Sequence, residues 1–388
     1  EGILRESIKT KYTENGELKI KCLAKNLPYN VIVDDAGIEL IDGLLVKLKY
    51  VRDIDKKNIV AKVDHVIAHK NAADADTRLI AEEFSIPVDF SEAALEEAKN
   101  MPKELTDEMI SEGFKEGRED FRNDIIFTID GKHTKDIDDA VSLKMLSNGN
   151  YELGVHIADV SHYVRPGSAL WKEAEMRGNS NYLGDKVIPM LPIELSNGIC
   201  SLNPDVDRYT ISCIMEIDHS GQVVNKRITK GIMKSRKKMN YDAVQDILDN
   251  KDTEDTKDYT TLEYVLKEGD TLDKIAFENN MTKEELLSYN KDLDENNLTK
   301  VNIPASKILK NMHIVSKVLR TRKEKRGELE FVGDEKEFSF DDNGRVNDIN
   351  ARIQREAEKL IEDFMIVANE SVALTFFEMD VPFVYRLH

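Results

Sequence analysis

The sequence has few of the features that mark secreted or membrane proteins. Its 388 residues include three cysteines and one tryptophan, and no stretch of 18 apolar residues occurs. Cys22, Cys200 and Cys213 form no CxxC pair and are odd in number. We therefore expect small core residues in a reducing cytoplasm rather than a disulfide framework. Without a long apolar run, we also expect no membrane span.

Basic residues are scarce relative to acidic ones. There are 55 Lys and Arg against 74 Asp and Glu, which gives a formal net charge of −19. Taken alone, this charge disfavours a nucleic-acid partner, because phosphate contacts need cations. Two local basic runs, KSRKK at 234–238 and RTRKEKRG at 320–327, leave room for a basic channel under an acidic exterior. The alternative is that both runs are solvated faces.

The remaining composition is that of a soluble globular protein with two or three domains. Apolar residues make up 40% of the chain and charged residues 33%. The chain opens with EGILRESIKT, without an initiating methionine or a signal peptide. This start suggests a fragment or a processed form.

One stretch concentrates the chemistry, DIIFTIDGKHTKDIDDAVS at 124–142. Four carboxylates, Asp130, Asp136, Asp138 and Asp139, fall within ten positions, between an apolar run at 125–129 and a second strand-like segment at 140–145. Carboxylates crowded beside apolar segments repel one another and are costly to desolvate. The natural compensating ion is Mg²⁺, with Mn²⁺ as the other candidate, because both take carboxylate oxygens. Such an ion can activate water against a phosphodiester.

Spacing alone leaves a solvated acidic loop as an equal alternative. An EF-hand fits poorly, because Gly131 is not at the sixth loop position and no glutamate closes a twelve-residue loop begun at Asp130. His156, Asp159 and His162, in HIADVSH, have no metal-ligand signature and are interpreted as structural.

The surrounding motifs decide between these alternatives. TIDGKHTKDIDDAV, YELGVHIADVSHYV and the segment from RGNSNYLGDKVIPMLP to SLNPDVDRYTISCIMEID resemble the catalytic domain of the RNB family of exoribonucleases, in particular its ribonuclease R branch. The resemblance runs from about residue 15 to 388 with one interruption, and looks incomplete at both ends. It implies Mg²⁺-dependent, processive hydrolysis of RNA from the 3′ end, with release of nucleoside 5′-monophosphates.

The resemblance also implies roles for single residues. Asp138 matches the aspartate most directly tied to catalysis, while Asp130, Asp136 and Asp139 would bind metal and shape the site. The residues that would contact RNA are Tyr182, which would stack on the 3′-terminal base, Phe331, which would clamp the stack from the other side, and Tyr241 and Glu362, which would lie near the ribose. The plainer alternatives are a half-buried tyrosine for Tyr182 and a surface acid for Glu362.

The predicted fold class is a multidomain α+β protein. Strand-like alternation and the resemblance predict an N-terminal cold-shock or OB-type β-barrel, then acidic helices, an α/β catalytic domain and a small insertion. A long amphipathic helix is expected over 351–377. The predicted domains are 1–70 for the barrel, 71–123 for a helical linker, 124–258 for the first part of the catalytic domain, 259–305 for the insertion and 306–388 for the rest of the catalytic domain.

The insertion resembles a LysM module. Within it, YVLKEGDTLDKIA predicts a strand, a turn and a helix capped by Asp270 or Thr271, while Thr282 and Glu285 form a capping box. LysM modules typically bind N-acetylglucosamine glycans, but a compact insertion without a glycan role is the preferred interpretation. Close termini would allow its deletion with little strain.

We therefore predict a cytoplasmic, monomeric exoribonuclease that acts on single-stranded RNA 3′ ends. A non-catalytic RNA-binding protein with the same fold, and a glycan-binding protein built on the LysM-like module, are the two alternatives. The family supplies an arginine near the scissile phosphate from a segment beyond residue 388. By that resemblance, residues 1–388 alone are expected to be a poor nuclease.

Overall fold

The computed structural model describes residues 2–3, 10–14, 17–23, 30–34, 43–183, 186–291, 293, 299–327, 336–341, 346–351 and 354–385. Contacts divide the chain into two compact units. The first unit comprises 1–94, 172–190 and 334–352, and the second comprises 95–171, 191–333 and 353–388. None of the helices in the described ranges combines the length and the apolarity needed to cross a bilayer.

The strands in chain order are β1 (Gly2–Ile3), β2 (Thr10–Glu14), β3 (Glu17–Leu23), β4 (Asn30–Asp34), β5 (Leu44–Asp53), β6 (Asn58–His69), β7 (Glu119–Phe121), β8 (Thr128–Asp130), β9 (Asp139–Met145), β10 (Tyr151–Ala158), β11 (Asn181–Leu183), β12 (Lys186–Ile188), β13 (Asp207–Ile217), β14 (Val223–Lys234), β15 (Lys238–Asn240), β16 (Thr261–Val265), β17 (Lys300–Pro304), β18 (Lys336–Phe340) and β19 (Val346–Ala351). The helices are α1 (Ala75–Glu83), α2 (Glu92–Lys99), α3 (Asp107–Lys115), α4 (Val160–Tyr163), α5 (Ala169–Arg177), α6 (Tyr241–Leu248), α7 (Glu254–Lys257), α8 (Leu272–Glu278), α9 (Lys283–Ser288), α10 (Ala305–Lys325) and α11 (Glu356–Glu378), with a π-helical segment at Glu194–Ile199.

The first unit is built on a six-stranded sheet in the order β1-β5-β6-β4-β3-β2. All neighbours are antiparallel except β4 and β6, which are parallel. Val31 and Val33 on β4 and Val46 and Leu48 on β5 lie on one face of the sheet and form its core. No pairing within the described ranges joins β2 to β1, so the sheet is open there, and the predicted cold-shock or OB-type barrel stays a prediction.

The second unit is built on a five-stranded sheet in the order β7-β14-β13-β10-β9. Strand alternation gives it two apolar faces. On β10, Leu153 and Val155 point into the core that contains α10 and α11, while Ala158 belongs to a smaller core on the other face. A separate parallel pair, β8 and β15, lies beside this sheet and shares its core through Ile129 and Met239.

Helix α11 begins five residues later than its amphipathic pattern predicts. Residues 346–351 form β19 and pair with β18, so the predicted start at 351 is wrong. From Ala357 onward the predicted stripe is correct, and Leu360, Ile361 and Phe364 are buried against the sheet and α10. Strand pairing outweighs helical periodicity at this boundary.

The insertion has the predicted strand–helix–helix–strand order. β16 and β17 form an antiparallel pair, and α8 and α9 lie between them in sequence. Thr271 caps α8 by accepting from the Lys274 N–H, and Thr282 and Glu285 form the predicted capping box of α9. The identity of this module as LysM stays a prediction.

The module is not a separable appendage. Leu262, Ile275, Leu286 and Ile303 belong to the same apolar core as α10, α11 and the second unit's sheet, and β17 continues directly into α10. Polar contacts add to this core, since Lys267 pairs with Asp124 and the amides of Asn280 and Asn311 are bonded at 3.1 Å. The ends of the module are adjacent as expected, since Thr261 pairs with Pro304, but the shared core is an argument against deleting 259–305 without loss of stability.

Candidate active site

The four aspartates lie on one loop between two strands. Asp130 ends β8, Asp139 begins β9, and we call residues 130–139 the acidic loop. Both ends are fixed by apolar burial, since Ile129 and Ala140 are each 1% exposed. The backbone of Asp138 is fixed as well, because its carbonyl accepts from the Ala158 N–H at 2.9 Å. The structure thus places the predicted carboxylates on one loop of the second unit, held at both ends.

The course of the loop depends on a close approach at Gly131. A Cβ on this residue would lie 2.9 Å from the Thr134 Oγ1, and the Thr134 N–H donates to the Gly131 carbonyl at 3.1 Å. Gly131 is not among the described residues with positive φ. The glycine is therefore needed for space inside the turn rather than for a left-handed backbone.

Two distant residues hold the middle of the loop. The Ser201 hydroxyl donates to the Lys135 carbonyl at 2.7 Å and accepts from the Ile137 N–H at 3.2 Å. The Lys238 ammonium donates to the Thr134 carbonyl. Sequence reasoning missed both residues, although KSRKK was noted as a basic run. Neither residue is adjacent to the aspartates in sequence, and only strand pairing brings Lys238 to them.

Burial and mutual repulsion raise the pKa values of the carboxyl groups. Burial, followed by the Asp139 charge, raises the pKa of Asp130 to about 7. Burial and the Asp138 charge raise the pKa of Asp139 to about 6. Partial burial and the Asp136 charge also raise the pKa of Asp138. The Lys238 charge and the Thr128 hydroxyl lower the pKa of Asp130 but do not offset this rise, so the negative charge of the site is only partly compensated.

A divalent cation fits this site by the chemistry of its donors. The Asp130 Oδ2 is buried without a hydrogen-bond partner in the described ranges, and such an orphaned acceptor is rare unless an ion or water satisfies it. Hard cations take carboxylate oxygens. Within those ranges, however, no three acidic, histidine or cysteine side chains are arranged as a ready cation site. The fit therefore rests on ligand type and on the orphaned oxygen.

The raised pKa of Asp130 should make the stability of the metal-free chain depend on pH. A folded pKa above the ordinary value of 3.8 means that the folded chain binds more protons, so stability falls as pH rises toward 7. We expect Asp130 to account for about 1–3 kcal/mol of lost unfolding free energy between pH 5 and 8.

Denaturant unfolding at both pH values, in chelator, measures this loss. Asp130→Asn should remove that part of the pH dependence. The matched control is Asp273→Asn, at a side chain that is 73% exposed on α8, and it should leave the pH dependence as in the wild type. If the unfolding free energy of Asp130→Asn depends on pH as it does in the wild type, Asp130 is not a buried, uncompensated carboxylate.

The predicted RNA contacts lie in different parts of the chain. Tyr182, on β11 in the first unit, is 66% exposed, whereas the aspartates belong to the second unit. Tyr241 begins α6 directly after Asn240, the strand partner of Asp130, and packs partly against the core. Glu362 is exposed on α11 and accepts from the Gln354 amide. Phe331 lies outside the described residues.

The structural interpretation of HIADVSH is confirmed. His156 is buried between the hydroxyls of Ser142 and Ser212, and burial lowers its pKa to about 3. Asp159 forms a buried ion pair with Arg118 at 2.7 Å. The side chains of His156 and Asp159 are thus engaged in the fold.

The basic runs also serve the fold. Arg236 donates to the Asp124 and Arg122 carbonyls, which tie the segment before β8 to the turn before β15. In the second run, Arg320 bonds the buried Asp363 at 3.0 Å and Arg326 bonds Glu370 at 2.8 Å, both on α11. The described parts of these runs are thus not simple solvated faces.

The part of the chain that contains the acidic loop is similar to known proteins. The family model described as the RNB domain matches residues 118–388. The chain is 36% identical over 372 residues to ribonuclease R 1 of Lactococcus lactis, covering 95% of this chain and 40% of the relative. It is 38% identical over 358 residues to ribonuclease R of Thermotoga maritima, covering 90% and 43% respectively.

A solved structure is similar over the whole chain. Mycoplasma genitalium RNase R, in complex with ribose-methylated single-stranded RNA, matches with a TM-score of 0.79 and 25% identity. The match covers 100% of this chain and 53% of the solved chain. The chain thus spans about two fifths of these curated relatives, at 40% and 43%, and about half of the solved protein.

Proposed function

Because the chain belongs to the RNB-domain family, we propose that it acts in the hydrolysis of single-stranded RNA from the 3′ end, with release of nucleoside 5′-monophosphates. The observation that carries the proposal is the acidic loop, where four aspartates crowd together and the buried Asp130 Oδ2 lacks a partner in the described residues. RNB nucleases are in general dependent on divalent metal, and we propose Mg²⁺, with Mn²⁺ as a substitute.

Each aspartate has a distinct setting in the loop. Asp130, Asp136 and Asp139 are half-buried, whereas the Asp138 side chain reaches solvent. We assign Asp138 to the reacting water and phosphate and the other three to holding the cation. Bound there, Mg²⁺ would lower the pKa of a water and offset charge on the phosphate oxygens. The protein's own contribution is to keep the carboxylates together at the fixed ends of β8 and β9.

Aromatic and polar residues would position the RNA 3′ end. The exposed ring of Tyr182 offers a face for a terminal base, and Phe331 would close the stack on its other side. Tyr241 and Glu362 would contact the terminal ribose. A stack that tolerates every base allows repeated cycles on one RNA strand, and this is the basis for proposing processive hydrolysis. The protein is further proposed to act as a monomer in the cytoplasm. The first unit's sheet would guide single-stranded RNA.

Product analysis tests the reaction. The protein as encoded by its gene is incubated with Mg²⁺ and single-stranded RNA that carries a label at the 3′ end or at the 5′ end. We expect labelled nucleoside 5′-monophosphate at once from the 3′ label, and a shortening ladder from the 5′ label. Internal cuts, or binding without cleavage, would overturn the proposal, and the latter would favour a non-catalytic RNA-binding protein.

The stacking role of Tyr182 can be tested by the length of the last resistant product. Stacking on a base contributes about 1–3 kcal/mol, so Tyr182→Ala should release short oligonucleotides earlier and lengthen the final product. Tyr182→Phe keeps the ring and should give the wild-type limit. Gel analysis of 5′-labelled end products measures both. The same limit product in wild type and Tyr182→Ala would remove Tyr182 from the clamp.

A further inference from the structure

Lys238 lies beside the acidic loop through strand pairing. It begins β15 and pairs with Thr128 on β8, and two residues later Asn240 pairs with Asp130. Met239 and Ile129 point to the core, at 0% and 1% exposure. Because strand side chains alternate, Lys238 is on the opposite side of β15 from Met239, and its ammonium reaches the Thr134 carbonyl in the loop.

The contact falls in the part of the loop that has no regular secondary structure. Residues 131–138 carry no helix or strand. Backbone bonds from Ala158 and Leu202 hold the end of this segment at Asp138 and Ile137, and the Lys132–Asp255 ion pair lies near its start. Its middle is held by the Thr134–Gly131 bond, by the bonds of Ser201 to Lys135 and Ile137, and by Lys238. Without Lys238, the turn between Asp130 and Asp136 would lose its tie to β15. The ammonium charge also acts on the Asp130 carboxyl and counters the repulsion from Asp139.

We propose that Lys238 is a positioning residue of the acidic site, which ties the loop to β15 and thereby holds the aspartates for a divalent cation. This inference rests on the proposed function. Two effects of losing Lys238 oppose each other. Removing a positive charge favours cation binding, whereas freeing the loop disfavours it. We expect the second effect to be the larger one, because residues that orient metal ligands typically contribute 10–100-fold to metal affinity.

Manganese titration calorimetry on the metal-free chain tests this role without catalysis. Residues that orient metal ligands typically contribute 10–100-fold to affinity, so Lys238→Met should weaken Mn²⁺ binding about tenfold. Lys238→Arg keeps a cationic donor and should restore most of the affinity. The matched control is Lys237→Met, which removes the same charge from the same basic run. The Lys237 ammonium lies over the Tyr259 ring, 5.5 Å from the ring centre.

Catalysis supplies a second readout. In the protein as encoded by its gene, Lys238→Met should raise the Mg²⁺ concentration for half-maximal rate about tenfold. The KM for RNA should stay close to wild type, because the substitution disturbs the acidic loop and not the residues proposed to contact the RNA. Melting temperatures in chelator report on the fold. If Lys238→Met does not fold, Lys238→Leu also removes both the donor and the charge and should show the same direction of change.

The outcomes separate the two proposals. Mn²⁺ binding that is unchanged or tighter in a folded Lys238→Met or Lys238→Leu variant would overturn the positioning role. An equal loss in Lys237→Met would also overturn it, because the effect would then come from general charge. If the wild-type protein cleaves no RNA, the proposed function fails, yet the Mn²⁺ titration still decides the role of Lys238.

Discussion

Asp138→Asn is expected to remove most of the RNA hydrolysis while leaving RNA binding nearly intact. Asp138 is the aspartate of the loop whose side chain reaches solvent, and its pKa is raised by partial burial and by Asp136. The substitution keeps the shape of the side chain but weakens the placement of cation and water. Losing one such electrostatic group commonly costs about 10²–10³ in rate.

Monophosphate release and RNA affinity are measured side by side for this variant. Affinity should not fall, because removing a negative charge relieves repulsion of the phosphates. Asp252→Asn makes the same charge change at an exposed position outside the acidic loop and should keep the wild-type rate. Near-normal cleavage by Asp138→Asn would remove this residue from the catalytic centre.

Deleting 259–305 is expected to abolish cooperative folding of the second unit. The deletion removes Leu262, Leu272, Ile275, Leu286 and Ile303 from the core that also contains α10, α11 and the sheet. A single large-to-small change in a core costs about 2–5 kcal/mol, against a typical total stability of about 5–15 kcal/mol. Loss of the whole set leaves the remaining core exposed, so the product should aggregate.

A point variant tests the same coupling more gently. Leu286 is fully buried on α9, and Leu286→Ala should lower the unfolding free energy by about 2–5 kcal/mol in a single transition. Glu284→Ala, exposed on the same helix, is the control and should change stability little. If the module melts separately while the rest stays folded, the shared core does not couple them.

The acidic loop shows what local sequence can predict. Apolar residues on both sides of the aspartates indicate buried strand ends, and the structure has β8 and β9 there. The caps at Thr271 and Thr282 are likewise confirmed, because a cap depends on residues within one turn. Features set by neighbours in sequence could therefore be predicted from the sequence.

Features set by contacts between distant segments could not be predicted from the sequence. The position of Lys238 depends on the parallel pairing of β15 with β8, more than a hundred residues earlier, and nothing in KSRKK specifies that partner. The start of α11 was predicted too early, because the residues before the helix form β19 and pair with β18. The module was expected to be removable with little strain because its termini are close, whereas its shared core is set by packing against α10 and the sheet.

Anomalous diffraction from crystals grown with Mn²⁺ tests the central claim most directly. The acidic loop should show a manganese peak in direct contact with carboxylate oxygens of Asp130, Asp136 and Asp139, at about 2.1 Å for a site of the Mg²⁺ type. Asp130→Asn crystals should show a weaker peak at the same place. A structure with Mn²⁺ bound elsewhere, and none at the acidic loop, would contradict the assignment of this loop as the catalytic centre.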